Sequence, residues 1–153
     1  MEEDARDFEE KIVQISRVSK KTKGGNKIGF SVLTVVGDRK GRVGVGLGKA
    51  LDVRGGIKKG ISKARKNLID VPIKETTIPY EVRMKKGAAK IILKPAPKGT
   101  GLIAGGPVRV VVELAGIRDI VAKILGTTNK ASNVYVTLAA LQKLSTIYQK
   151  EKK

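Results

Sequence analysis

The sequence predicts an α+β protein built in two units, a β-β-β-α unit followed by a second, small α+β unit. Three observations carry this reading. Three strand-like runs between residues 11 and 50 are followed by an apolar stripe at helical spacing over 53–68. Pro72 then interrupts the pattern at the seam between halves. A second set of alternating and helical segments fills 74–148, without an internal repeat. At 153 residues and 41% hydrophobic, the chain holds enough apolar material for one ordinary domain or two small ones sharing a boundary.

Taken in order, residues 1–10 read as an acidic arm, frayed or briefly helical. Ile12, Val13, Ile15 and Val18 mark the first strand. Lys20 to Lys27 contains four lysines and the Gly24-Gly25 pair between apolar runs, which predicts a flexible basic hairpin loop. Ile28–Val36 is apolar on both faces and is expected to be a central strand. Gly37–Gly41 is a tight turn. The third strand sets Val43, Val45 and Leu47 on one face and Gly44, Gly46 and Gly48 on the other. A face made only of glycine implies that something comes close to the backbone. Either the next helix or an RNA backbone satisfies that requirement. Asp52 is placed to cap a helix over 53–68, with Val53, Ile57, Ile61, Ala64 and Leu68 as its expected buried stripe. Lys59, Lys63 and Lys66 lie opposite that stripe, and Arg54, Lys58 and Arg65 flank it.

In the second half, alternation from Ile78 to Met84 predicts a half-buried strand. Lys85-Lys86-Gly87 turns the chain into a partner strand carrying Ala89, Ile91 and Leu93. Residues 95–101 read as a loop. Pro107 suits the first turn of a short helix that Gly116 stops. A strand over 120–125 and a turn over 126–129 follow. A last helix is predicted over 130–148, with Val134, Leu138, Leu141 and Leu144 buried. The predicted boundaries are an acidic arm at 1–10, units at 11–73 and 74–148, and a mobile basic tail at 149–153.

Charge bounds the function. The chain carries 32 Lys and Arg against 14 Asp and Glu, a formal net charge of +18. Six of the acids lie in residues 1–10, so residues 11–153 hold 31 basic groups against 8 acids. An excess of 23 repels itself in a compact body, and a polyanionic partner relieves it. With neither Cys nor His, the chain lacks thiol nucleophiles, Ser-His-Asp triads, Cys or His zinc sites and disulfides. The acidic N-terminus has no apolar segment of a secretion signal. No run approaches the ~18 apolar residues that span a bilayer. The expected address is cytoplasmic.

The glycine motifs do not fit nucleotide binding. A phosphate loop needs a glycine where Val43 stands and a Ser or Thr where Ala50 follows Lys49. Gly99–Ala104 resembles a dinucleotide fingerprint only loosely, without a preceding βαβ unit. The acids after residue 10 are scattered, so no carboxylate pair points to catalysis. No catalytic residue, metal site or cofactor is expected, and the chain is expected not to be an enzyme. Aromatics make up only 3%, which disfavours modules that stack single-stranded bases. Recognition through phosphate, sugar and shape suits folded RNA.

Arg17-Val18-Ser19-Lys20 with Lys23-Gly24-Gly25, the block 33–38, and Gly41-Arg42-Val43-Gly44 with Gly48-Lys49-Ala50 resemble the bacterial small-subunit ribosomal protein five family. The resemblance continues through Lys63–Asn67, Gly99–Gly106, Arg109, Glu113–Gly116 and Gly126–Asn129. It implies a first half like a double-stranded-RNA-binding domain lacking its first helix. It implies a second half like the two-layer α+β domain of some nucleotide-binding ATPases and translation factors, without their nucleotide motif. It further implies a structural role in the small ribosomal subunit at the junction of head and body. The implied partners are ribosomal RNA and ribosomal proteins four and eight, with messenger RNA nearby at the path by which it enters. Effects on decoding accuracy and RNA unwinding are implied as well. By this resemblance the segment 18–27 contacts RNA near the spectinomycin site, and 100–106 lies against RNA close to protein four. Together with the helix cations, the candidate RNA-binding residues are Arg17, Ser19, Lys20, Lys21, Lys23, Gly24, Gly25, Lys27, Arg42, Lys49, Arg54, Lys58, Thr100 and Gly101. A free-standing RNA chaperone or regulator is the alternative that the same charge permits.

Overall fold

The structure is a computed structural model that describes residues 8–152, with the side chains of Lys20, Asn26, Glu151 and Lys152 outside that description. The expected acidic arm lies largely outside the described residues; its last members, Glu9 and Glu10, open the first strand.

The first sheet follows chain order, β1 (Glu9–Thr22), β2 (Gly25–Gly37), β3 (Arg42–Ala50) and the short β4 (Ile69–Asp70), all antiparallel. The central position expected for the second strand holds. Between β3 and β4 the helix α1 (Val53–Lys66) crosses one face. Asp52 caps it in extended conformation, its Oδ1 accepting from the Gly55 N–H at 3.1 Å. The helix ends at Lys66, before the predicted Leu68.

Of the predicted stripe, helix α1 fully buries only Ala64. Its buried residues are Gly56, Gly60 and Ala64, while Val53, Ile57 and Ile61 are only half-buried. The glycine face of β3 explains the change. A Cβ on Gly44, Gly46 or Gly48 would collide with the backbone of Ala64, Gly60 or Gly56 respectively. From the other side, a Cβ on Gly56 would lie 2.8 Å from Val32 Cγ2, and one on Gly60 would lie 2.7 Å from Thr34 Oγ1. Helix and sheet therefore meet backbone to backbone. Of the two partners that the glycine face allowed, the helix occupies it.

Because side chains alternate across a strand, the opposite face of the same sheet carries Leu33, Val35, Val43 and Val45. These join Val108, Val111, Val112 and Leu114 of the second half in one continuous core. Over residues 32–37 the sheet is thus buried on both sides, which is why that part of β2 reads as apolar on both faces.

The second sheet has the order β5 (Val82–Lys86), β6 (Ala89–Pro95), β8 (Ile120–Ile124), β7 (Leu102–Ile103), with β7 parallel to β8 and the rest antiparallel. Helix α2 (Gly106–Ala115) connects the parallel pair, and α3 (Lys130–Lys152) packs beside it on the same face, giving two layers. The strand predicted from Ile78 begins at Val82: Ile78 is buried but outside the ladder, and Pro79 has no N–H to donate to one. Gly116 stops α2 at φ 102° as predicted. Asn129 begins α3, its Oδ1 accepting from the Ser132 N–H at 3.1 Å. The last helix runs past Tyr148 to Lys152, so the segment expected to be a mobile tail continues it; Lys150 in the final turn suits the negative end of the helix dipole.

The β2–β3 turn ties the halves together. The Arg39 N–H donates to Leu114 O and the Gly41 N–H to Ala115 O, both at 2.9 Å, satisfying carbonyls that the end of α2 leaves without helical partners. Asp38, nearly buried, holds the turn by accepting from the N–H groups of Lys40 at 2.8 Å and Arg42 at 3.0 Å. Lys11 donates to Glu113 at 3.2 Å across the same junction, and Arg39 reaches both Glu9 at 2.8 Å and Glu113 at 3.5 Å.

Candidate nucleic-acid interface

The predicted basic loop is not a loop. Strands β1 and β2 stay paired to Lys20↔Lys27, Lys21↔Asn26 and Thr22↔Gly25, leaving Lys23 and Gly24 as the turn. The Thr22 hydroxyl donates to Gly25 O at 2.8 Å and closes the end. Gly25 takes φ +126°, which a side chain would resist. Alternation along a twisted, paired ribbon holds the lysines in a fixed array, whereas a loop would scatter them. Lys21, Lys23 and Lys27 are exposed, and Gly24 and Gly25 have nothing within 4 Å of a notional Cβ. That end of the hairpin is therefore thin, cationic and open to close approach.

At the base of the hairpin a groove of about 430 Å³ brings Ser19, Lys27 and Lys49 around an apolar floor of Val18, Ile28, Phe30, Ala50 and Leu51. Arg17 pairs with Phe30, which itself pairs with Ala50 just ahead of α1, so Arg17 and the exposed Arg54 share this end of the sheet. Lys58 stands on the outer face of α1 beside Arg65 and Lys66. Ten of the fourteen candidates thus gather in the hairpin or at its base; Lys58 extends the surface along α1.

The other three lie elsewhere. Arg42 starts β3, about 23 Å from Lys49 at the usual rise per strand residue. Its Nε donates to Asp38 Oδ2 at 3.1 Å, and its guanidinium sits 5.4 Å from the centre of the Phe8 ring. Thr100 and Gly101 belong to the second half, between β6 and β7. The Thr100 hydroxyl donates to Pro97 O at 2.7 Å. The N–H groups of Gly99 and Gly101 donate to Asp119 Oδ1 at 3.2 and 2.8 Å. The hydrogen bond from Thr76, followed by that from the Gly101 N–H, holds the Asp119 carboxyl below its ordinary range. Sequence reading did not single out Asp119; its glycine partners 18 and 20 residues away gave no local signal.

Among the described residues there is no group of three or more acidic side chains able to hold a metal ion, and no helix long and apolar enough to cross a membrane. What the site offers is fixed cations, apolar surface and exposed backbone, the equipment of a structural polyanion-binding protein. Comparison with known proteins gives that class a family. The family model described as "Ribosomal protein S5, N-terminal domain" matches residues 8–72, and "Ribosomal protein S5, C-terminal domain" matches 84–153. The chain is 49% identical over 144 residues to small ribosomal subunit protein uS5 of Thermosynechococcus vestitus, covering 94% of this chain and 83% of that one. It is 50% identical over 138 residues to uS5 of Thermotoga maritima, covering 90% and 78%. With uS5c of Rhodomonas salina it shares 46% over 150 residues, covering 97% and 89%. The chain belongs to the ribosomal protein S5 family. It is accordingly a structural, non-enzymatic component of the small ribosomal subunit, acting in translation in the cytoplasm.

Proposed function

We propose that this chain binds small-subunit ribosomal RNA at the junction of head and body, near the path by which messenger RNA enters, and that it supports decoding accuracy there. The observation that carries the RNA reading is the paired β1–β2 hairpin, whose tip exposes Lys21, Lys23 and Lys27 beside two open glycines. The location and the link to decoding rest on family membership together with this placement. Units 11–73 and 74–148 act as two RNA-facing parts of one body. Ribosomal proteins four and eight are the proposed protein neighbours, with residues 100–106 toward protein four. Thr100 and Gly101 contribute through the shape of the loop that Asp119 fixes, since their own polar groups are engaged within the chain.

The direct test replaces Lys21, Lys23 and Lys27 with Ala and measures binding to small-subunit ribosomal RNA against salt. Every phosphate that the variant leaves unneutralised should make the log–log salt slope shallower by roughly 0.7 to 0.9. An unchanged slope and affinity would remove the hairpin from the interface. Sedimentation of lysate should place the protein with small subunits; a pool that is only free would favour a chaperone or regulator.

A further inference from the structure

Helix α1 covers β3 and the adjoining part of β2 and leaves the outer strand of the same sheet bare. Its buried line of Gly56, Gly60 and Ala64 meets the glycines of β3. A Cβ on Gly48 or Gly46 would stand 3.0 Å from the Cβ of Lys59 or Lys63, so those lysines flank the helix on the β3 side. The other flank carries Ile57, Ile61 and Arg65, each one residue on from the buried line and so turned by about 100°. Arg65 reaches Glu10 of β1 at 3.1 Å, which sets this flank toward β1. On the strand, Ile12 pairs with Thr34 and Ile15 with Val32, the two β2 residues that face the helix. The register shift between Ile12 and Gln14 lets isoleucines three apart share that face.

Ile12 and Ile15 are 44% and 48% exposed, and Ile57 and Ile61 are half-buried. Together they line an apolar groove between β1 and α1. Its rim is cationic: Arg54, Lys58 and Arg65 of the helix are exposed, as is Arg17 further along the strand. Four large aliphatic side chains left beside one another at the surface mark a place where something docks.

The occupant that fits is the chain's own first segment. Residues 1–7 hold four acids, Glu2, Glu3, Asp4 and Asp7, against Arg6. Met1, Ala5 and Phe8 follow the spacing of an apolar stripe. The Phe8 ring stands 5.4 Å from the Arg42 guanidinium, two residues before Gly44, which meets the last turn of α1. The segment therefore joins the fold at one end of the groove. Seven residues reach at most about 25 Å when extended, and the 14 residues of α1 are about 21 Å long. The acids can be set along the whole rim, and tethering keeps their effective concentration on the order of millimolar. Glu10, the next acid along, already makes such a contact with Arg65.

We propose that residues 1–7 fold back into the groove between β1 and α1, with their acids against Arg54, Lys58 and Arg65, and that they yield this surface to RNA. The segment is an internal counter-charge. It stands in for phosphate on α1 and discourages duplexes that do not also engage the β1–β2 hairpin. The yielding rests on the RNA reading of the chain; the docking does not.

Amide chemical shifts of the full chain are compared with those of a variant lacking residues 2–7. Docking predicts differences at Ile15, Ile57 and Ile61, well away from the cut. Those differences should vanish when both proteins are saturated with an RNA duplex of about 16 base pairs, the span of a double-stranded-RNA-binding domain. Differences confined to residues 8–12 would overturn the docking, and differences that persist unchanged in saturating RNA would overturn the yielding. Duplex affinity gives the second readout. Glu2→Gln, Glu3→Gln, Asp4→Asn and Asp7→Asn together should tighten binding roughly three- to tenfold at low salt, a gap that closes as salt screens the acids. Loss of negative charge alone would do the same, so a charge-neutral change decides. Ile12→Thr with Ile15→Thr keeps β-branched residues on the strand, strips apolar contact from the groove and should tighten duplex binding about two- to threefold. Unchanged affinity in that variant would assign the effect to bulk charge and overturn the groove. Failure of both the full chain and the shortened variant to bind RNA would bring down the RNA reading and the yielding, while the shifts would still decide the docking.

Discussion

At the scale of single residues, glycine sets how closely the first sheet and its helix approach. A methyl group on Gly46 would collide with the backbone of Gly60 and Ala64, and one on Gly60 would lie 2.7 Å from the Thr34 hydroxyl oxygen. Thr34 beneath them is fully buried, and its hydroxyl has no hydrogen-bond partner. A small-residue contact therefore replaces the usual interdigitated side chains, and any added atom must move the whole helix. Gly46→Ala should destabilise the fold by about 1–3 kcal/mol, as overpacking of a tight interior does. Urea unfolding checks this, and a loss under about half a kcal/mol would mean that α1 shifts freely.

Between elements, the most informative contact is that of the β2–β3 turn with the end of α2. Glu113 in the last turn of α2 meets Lys11 from β1 and Arg39 from the turn. Partial burial pushes its carboxyl up, but the hydrogen bond and charge of Lys11, with the charges of Arg39 and Arg109, outweigh this and hold it below its ordinary 4.5. A depressed carboxyl adds stability at neutral pH and loses it as pH falls through the folded-state value. Glu113→Gln should thus lower stability at pH 7 by no more than about 1 kcal/mol, because the pair is partly solvated. As pH falls through that lowered folded-state value and the carboxyl takes up its proton, parent and variant should converge. Denaturant midpoints for the two proteins across that range test the sign; a difference that widens in acid would contradict it.

For the whole molecule, the inner faces of both sheets and the helices of the second half form one core. Leu33, Val35, Val43 and Val45 are covered by the second half. The two family-model segments, though separate in sequence, should therefore unfold together. A single transition, with helix and sheet signals coincident, is expected for the full chain. Two separated transitions would show that each half is stable alone. RNA that binds the folded arrangement of cations in preference to the unfolded chain should raise the unfolding temperature by mass action.

Much of the fold was legible in the sequence. The order β-β-β-α, the Asp52 cap, the Gly116 stop and the central β2 follow from local patterns that backbone sterics enforce. The failures share a cause. The lysine-rich hairpin looked like a loop because its pairing partner lies across the turn, and strand pairing is not a local property. The apolar stripe of α1 misled because the sheet opposite it is glycine, which admits backbone where side chains were expected. Likewise, the basic character of the hairpin was visible at once, whereas the groove between β1 and α1 was not. Its isoleucines come from Ile12 and Ile15 on the strand and Ile57 and Ile61 on the helix, and only strand register and the seating of the helix gather them. The sequence by itself determined that the chain is basic and α+β, because charge and periodicity are written residue by residue. Only the tertiary structure decided which partner fills the glycine face, that two halves share one core, and where the charges converge, because those depend on which distant strands pair and which side of each is left uncovered.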